Sequence, residues 1–190
     1  METAISILAG VAMSAACGFR VFIPPLVAGI AAMFGYITLP PDFLWLSSPP
    51  ALIALGAAAA VEVAAYYVPW LDHLLDTITT PAAVVAGTLL TASFITDMSP
   101  WLRWTVAVVA GGGVSGAVQV STVLLRSAST GTTGGFGNFV VSTFEAVSAV
   151  GLSVTALAVP LLAIGFLILV LLAAAVFLMR RRAKSSSSQV

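Results

Sequence analysis

The stretch that decides the fold class is Val154–Met179, which reads VTALAVPLLAIGFLILVLLAAAVFLM. It contains no charged residue and no regular alternation of apolar and polar side chains. About 20 apolar residues in a helix cross a hydrocarbon layer of about 30 Å, within which every backbone N–H and C=O must be paired inside the protein. Strands of a membrane barrel would alternate with a period of two. The stretch therefore predicts an α-helical membrane span.

Composition extends this prediction to the whole chain. Of the 190 residues, 60% are hydrophobic and only 7% are charged, and the mean hydropathy is +1.12. A soluble domain carries about 25% charged residues, so we expect the lipid bilayer to be the main partner of this surface. Seven basic and seven acidic residues leave no basic footprint for nucleic acid. The single cysteine excludes an internal disulfide and a cysteine-rich metal site.

Helix breakers divide the sequence into about six predicted spans. The first apolar block, Thr3–Ile37, would be about 50 Å long as one helix and is interrupted at Gly18 and Pro24-Pro25. It predicts either a strongly kinked span or a pair of half-helices. The other spans are predicted at about Ala51–Val68, Pro81–Ile95, Trp101–Leu125, Phe139–Ala156 and Pro160–Met179. We expect one all-α transmembrane bundle over residues 1–179, followed by a tail at 180–190.

Three connections carry local signals. Pro40–Pro50 is rich in proline and contains Trp45, which is typical of an interfacial loop with an aromatic anchor. Thr80-Pro81 is typical of an N-cap followed by proline at the first helical position, so a helix is predicted to begin there. Gly131–Gly137 predicts a glycine-rich loop, either a flexible turn or an anion-binding nest.

The basic, serine-rich tail predicts the orientation. Residues 180–184 hold four Lys and Arg residues, and the positive-inside rule places such a cluster in the cytoplasm. Six spans form two sets of three with opposite orientation, which is the arrangement of inverted-repeat transporters with sites at broken helices. Each half contains one interrupted segment, so an inverted repeat of three plus three spans is predicted.

Intramembrane charges are the strongest candidates for function. Glu62 lies well inside the second predicted span, where a carboxylate costs about 2.5–3.5 kcal/mol at the bilayer centre. Glu62 is either a proton or cation site, or a structural group that hydrogen-bonds another helix or pairs with arginine. Arg20, just before Pro24-Pro25, is the expected partner; alternatively, it binds an anionic group of a substrate.

Four further residues complete the candidate binding set. Asp72 and Asp76 are four residues apart and share one helical face. They could hold a proton or a hard cation, although acids near the interfacial Trp70 are commonly just solvated. Asn138 ends the glycine-rich stretch, and Glu145 lies about two turns further along the following helix.

Catalytic signatures are missing from the sequence. It contains no Gly-x-Ser-x-Gly elbow and no His-Glu-x-x-His motif, and His73 is its single histidine. A zinc site is not expected, because one histidine and one cysteine supply too few ligands. We expect a protein that is not an enzyme, with no catalytic and no metal-binding residues.

Several of these residues also resemble a family pattern: Gly18-Phe19-Arg20 with Pro24-Pro25, Glu62 with Pro69-Trp70-Leu71-Asp72 and Asp76, and Gly137-Asn138 with Ser142 and Glu145. The chain resembles an uncharacterised family of bacterial multi-pass membrane proteins, domain of unknown function 4126. It departs from that pattern at Tyr66-Tyr67, where an Asp-Lys pair is typical. The resemblance covers the chain to about Pro160 and implies the bacterial inner membrane. It implies no activity and no cofactor.

Helix breaks therefore coincide with intramembrane charges. This coincidence predicts a transporter or channel for a small solute or ion. The alternative is a non-enzymatic accessory subunit, packed in a homo-oligomer or a larger membrane complex. The candidate substrate- or ion-binding residues are Arg20, Glu62, Asp72, Asp76, Asn138 and Glu145.

Overall fold

A computed structural model describes residues 2–67, 71–165, 167–169 and 172, without the side chains of residues 2 and 71–74. Over this part of the chain the protein is helical and has no strand, which confirms the all-α prediction. The elements are α1 Glu2–Cys17, α2 Ile23–Met33, a 3-10 helix Pro41–Ser47, α3 Pro49–Ala65, α4 Leu71–Phe94, α5 Pro100–Val106, a π-helical turn Ala107–Gly112, α6 Gly113–Thr133 and α7 Asn138–Ala158. A further helical segment, Pro160–Leu169, follows α7.

Three continuous helices are long and apolar enough to cross a membrane: Leu75–Phe94, Pro100–Thr133 and Asn138–Ala158. A fourth crossing is obtained if the 3-10 helix and α3, which meet at a bend of 62°, count as one span. The described residues thus support three or four of the six predicted spans. Residue 166, most of 170–179 and the tail 180–190 lie outside the described residues.

The first apolar block is a pair of half-helices rather than one kinked span. α1 has 16 residues and α2 has 11, which corresponds to about 24 Å and 17 Å of helix. Neither length covers a hydrocarbon layer of about 30 Å. Residues 18–22 form the break between them, and Pro24 and Pro25 lie in the first turn of α2, where missing N–H groups do no harm. The predicted interruption is confirmed.

Helix α1 runs through the interior of the bundle. Ala12, Ala15 and Ala16 are fully buried, and small side chains let neighbouring helix backbones approach closely. The hydroxyl of Ser14 donates to the carbonyl of Gly111 in the π-helical turn. This packing against α4, α6 and α7 places the break after Cys17 in the interior.

The prediction that a helix begins at Thr80-Pro81 is wrong. α4 continues through Pro81, from Leu71 to Phe94. The hydroxyl of Thr80 does not cap a new helix, because it donates to the carbonyl of Asp76 at 2.6 Å, one turn back in the same helix. Asp76 therefore lies on a helix that is long enough to cross a membrane.

The predicted glycine loop is also shorter than expected. α6 continues to Thr133 rather than ending near Leu125, so Gly131 lies in the helix and only residues 134–137 form the turn. Gly134 ends α6 with φ of 61°, a left-handed conformation that glycine adopts without a steric penalty. The longer helix brings Arg126 into the bundle.

Polar residues face inward and apolar residues face outward on α6 and α7. A water-soluble protein shows the opposite distribution, whereas lipid-facing surfaces are apolar and intramembrane polar groups turn to the bundle interior. The buried polar residues are Ser115, Gln119, Thr122 and Arg126 on α6 and Asn138, Ser142, Glu145, Ser148 and Ser153 on α7. The exposed apolar residues include Val120, Leu124, Val140, Phe144 and Val147. This distribution supports a membrane protein.

Replacement of Gly18 by alanine tests the close approach of the break to α6. A Cβ at Gly18 would lie 2.5 Å from the carbonyl oxygen of Ser115 and 2.5 Å from Cβ of Val118. We expect Gly18→Ala to lower the free energy of unfolding by about 1–3 kcal/mol because of overpacking. The matched control is Gly56→Ala, since no described atom lies within 4 Å of a Cβ there. Thermal unfolding in detergent measures both; equal stability of the two variants would contradict the packing.

Candidate functional site

Two buried arginines share one carboxylate oxygen. Arg126, on α6, donates from Nη1 to Oε2 of Glu145 on α7 at 2.5 Å. Arg20, in the break between α1 and α2, places Nη2 3.3 Å from the same oxygen. The same Arg20 nitrogen donates to the carbonyl of Ser142 at 3.0 Å. The three ionic side chains are at most 2% exposed. One oxygen atom thus joins three separate segments of the chain.

Asp76 extends this arrangement to α4. Its Oδ1 accepts hydrogen bonds from Nη2 of Arg126 at 2.5 Å and from the hydroxyl of Tyr66 at 3.0 Å. The Tyr66 hydroxyl also lies 2.9 Å from Oγ1 of Thr79, which accepts a hydrogen bond from Gln119 at 3.1 Å. Polar groups of α4 and α6 thereby surround the tyrosine hydroxyl.

The ring of Tyr66 contacts both guanidinium groups. Its centroid lies 4.1 Å from Cζ of Arg20 and 4.5 Å from Cζ of Arg126. Cation–π attraction at such distances stabilises the two positive charges on one aromatic ring. We call Arg20, Tyr66, Asp76, Arg126 and Glu145 the charge network.

Glu62 binds the start of α2 instead of an arginine. Its carboxylate accepts hydrogen bonds from the backbone N–H of Val21 at 2.8 Å and of Phe22 at 3.1 Å. The break leaves these N–H groups without helical partners, and a negative charge is favourable at the positive end of a helix. The predicted direct pair of Arg20 with Glu62 is wrong, because the ionic partner of Arg20 is Glu145. Glu62 instead ties α3 to the broken helix.

Of the other two predicted residues, Asp72 and Asn138, the structure describes the side chain of Asn138 only. The side chain of Asp72 lies outside the described residues. Asn138 is buried at the start of α7 and donates from Nδ2 to Oγ1 of Thr130 at 2.9 Å, which fastens the turn between α6 and α7. This contact gives Asn138 a structural role at the turn.

The glycine-rich stretch is predicted to be either a flexible turn or an anion-binding nest, and the structure shows a turn at residues 134–137. The N–H of Gly134 donates to the carbonyl of Thr130 at 3.0 Å, and the N–H of Gly137 donates to Oγ1 of Thr133 at 2.9 Å. These two donors close the end of α6 on itself. They are therefore engaged within the protein.

Sequence reasoning missed Arg126 and Tyr66 as site residues. A signal for Arg126 exists, because it follows Ser115, Gln119 and Thr122 at helical spacings of four, three and four residues. The predicted helix end at Leu125 left Arg126 outside the span. Tyr66 gave no signal, because nothing in one sequence places its ring against two arginines.

The family assignment agrees with the resemblance seen in the sequence. The model of the family described as Domain of unknown function (DUF4126) matches residues 7–181. The chain belongs to this family. No curated protein and no solved structure matches the chain. Every residue of the charge network lies within the range that the DUF4126 model matches.

The charge network of this DUF4126 chain is closed in the structure. Arg20 is 0% exposed, and Arg126 and Glu145 are each 1% exposed. An apolar cavity of about 500 Å³ lies between α2, the 3-10 helix, α3 and α4, and none of the residues lining it is charged. In the described part of the chain, no group of three or more His, Cys, Asp or Glu residues could hold a metal ion.

Replacing Arg126 by an uncharged residue tests how much the charge network contributes to the free energy of unfolding. Arg126→Gln leaves the carboxylates of Asp76 and Glu145 buried without the positive charge that pairs with them. We therefore expect a loss of about 3–5 kcal/mol in the free energy of unfolding. The control is Arg103→Gln, because the partner of Arg103 is Asp42, whose side chain is 69% exposed; its expected loss is about 0–1 kcal/mol. Unfolding in mixed detergent measures both variants. Equal losses would mean that the network contributes no more than a surface ion pair.

Proposed function

We propose that this protein moves a small solute or ion across a membrane, as a transporter or channel, and that the charge network is its binding site. The observation that carries the proposal is the burial of two arginines and two carboxylates at the point where α1 and α2 separate. Broken helices with intramembrane charges form the solute sites of many secondary transporters.

Energetics favour a functional role for these charges. Replacing a buried ion pair by well-packed apolar residues is often neutral or stabilising, so a bundle gains little stability from such a pair. Ionisable residues at membrane depth are expensive and mark solute pathways, proton relays and ligand sites. By contrast, the contacts of α1 with the π-helical turn and with α4 include hydrogen bonds from uncharged hydroxyl groups, those of Ser14 and Thr91.

The geometry supports movement at the break. Arg20 lies on a non-helical link, whereas Arg126 and Glu145 lie inside long helices. The link is tied to α3 through Glu62 and to α7 through Glu145. A shift of the link would change the contacts of Arg20 while Arg126 and Glu145 stay paired. Opening the closed network in this way would expose the site.

The proposal includes a topology. We place the protein in the bacterial inner membrane with six crossings, the first being the α1–α2 pair, and with a cytoplasmic C-terminus. The basic residues at 180–184 support this orientation. An inverted repeat of three plus three spans, with the network near its axis, belongs to the same proposal.

Flux through reconstituted vesicles tests the function. The full chain is reconstituted, and uptake of protons, Na⁺, K⁺, chloride, formate, nitrate and glycerol is compared with that of protein-free vesicles. We expect at least one of these probes to cross. We expect Glu145→Gln to lower its rate about tenfold or more, because a barrier change of about 1.4 kcal/mol has that effect. Arg103→Gln is the control and should match the unmodified protein.

Two outcomes would contradict the proposal, the first its transport function and the second the charge network as its binding site. The first is the absence of flux for every probe with a folded, monodisperse protein, which would favour the accessory-subunit alternative. The second is a Glu145→Gln variant that remains folded and transports at the unmodified rate. Gel filtration in detergent establishes folding before either comparison.

A further inference from the structure

The charge network contains more unpaired donors than acceptors. Nε and Nη1 of Arg20 and Nε of Arg126 are buried and have no hydrogen-bond partner among the described atoms. The network's unpaired acceptor is Oε1 of Glu145. A buried donor left without a partner costs about 1–3 kcal/mol, and more when it is charged. The site therefore lacks an acceptor next to Arg20.

The oxygen atoms of the site do not suit a metal cation. Hard cations such as Ca²⁺ take six to eight oxygen ligands. Both carboxylate oxygens of Glu62 are occupied by backbone N–H groups, and Oε2 of Glu145 is occupied by two arginines. The unpaired nitrogens belong to guanidinium cations, so their complement is a hydrogen-bond acceptor, and an anionic acceptor forms the stronger hydrogen bond.

Two of the three nitrogens of the Arg20 guanidinium remain available to such a group. The Tyr66 ring lies against the guanidinium, 4.1 Å from Cζ, and Nη2 is used by Ser142 and Glu145. The unpaired Nε and Nη1 lie in the guanidinium plane on either side of Nη2, so an oxyanion that pairs with two nitrogens uses one of them together with Nη2. Guanidinium groups recognise oxyanions through in-plane N–H donors.

We propose that Arg20 binds a small monovalent oxyanion, of the size of formate or nitrate, through its unpaired N–H donors. This inference deepens the proposed function, on which it rests, by naming the class of substrate. The anion is small because Arg20 is completely buried in the closed structure.

Glu145 competes with this anion. Its Oε2 is 2.5 Å from Arg126 but 3.3 Å from Arg20, so Arg126 is its closer partner. An incoming anion displaces the Glu145 carboxylate from Arg20, while Glu145 stays hydrogen-bonded to Arg126. Loss of the Glu145 charge should therefore strengthen anion binding, while loss of the Arg20 charge should abolish it. A purely structural ion pair predicts no such opposite effects.

Equilibrium binding tests the site separately from transport. The full chain in detergent is titrated with sodium formate and sodium nitrate, and sodium gluconate keeps the ionic strength constant. Thermal unfolding midpoints and calorimetry follow binding. We expect saturable binding that Glu145→Gln tightens about tenfold and that Arg20→Gln weakens tenfold or more, where tenfold corresponds to about 1.4 kcal/mol. Arg103→Gln is the matched control and should bind as the unmodified protein does.

A second variant covers the case in which Arg20→Gln does not fold. Arg20→Lys keeps the positive charge but replaces the planar set of donors by one nitrogen, and we expect affinity to fall about tenfold. The inference is overturned if the folded, unmodified protein shows no saturable binding, which would mean that water alone satisfies the donors. It is also overturned if Arg20→Lys and Glu145→Gln bind as the unmodified protein does.

The two proposals fail in different ways. Anion binding without flux of any probe in vesicles would reject transport and retain the Arg20 site. Flux of cations or glycerol without anion binding would reject the oxyanion and retain transport. Flux of formate or nitrate that disappears in Arg20→Lys would support both.

Discussion

The sharing of one Glu145 oxygen by Arg20 and Arg126 is the interaction on which the rest of the structure depends. A guanidinium that faces lipid without a partner is strongly unfavourable, so the segments that carry these charges must meet in the interior. This requirement fixes the rotation of α6 and α7, because both arginine and glutamate have to point inward. The hydroxyl and amide groups of the same helix faces then line up around Tyr66. The outer faces remain apolar for lipid.

The backbone N–H groups at the break between α1 and α2 impose a second constraint on the structure. Interrupting a helix leaves N–H groups unpaired, and lipid offers them no water. Glu62 satisfies the N–H groups of Val21 and Phe22 and places a negative charge at the positive end of α2. The break therefore persists without exposing backbone donors, and it brings Arg20 next to α7. The proposed function uses the same feature, because the proposal places the movement that opens the site at this link.

Sequence patterns predicted the structural features that depend on residues close together in the chain. The broken first block, the helical class, and the helical positions of Glu62 and Glu145 all follow from short windows. The sequence did not predict which charged residues pair with each other. Arg20 pairs with Glu145, which is 145 − 20 = 125 positions away, and the rotation of the helices decides which side chains meet. Pro81 misled the prediction, since a helix held by tertiary packing tolerates a proline that an isolated helix does not. Arg126 was missed because α6 extends past its apolar part.

The central claim is that Arg126 and Glu145 act as one energetic unit inside the bundle. A double-mutant cycle measures this directly, with unfolding free energies of Arg126→Gln, Glu145→Gln and the double variant in the same detergent. The structure predicts that the double variant loses less stability than the sum of the two single losses, by about 1–3 kcal/mol. Losses that add to within about 0.5 kcal/mol would show that the two side chains do not interact, and would contradict the account.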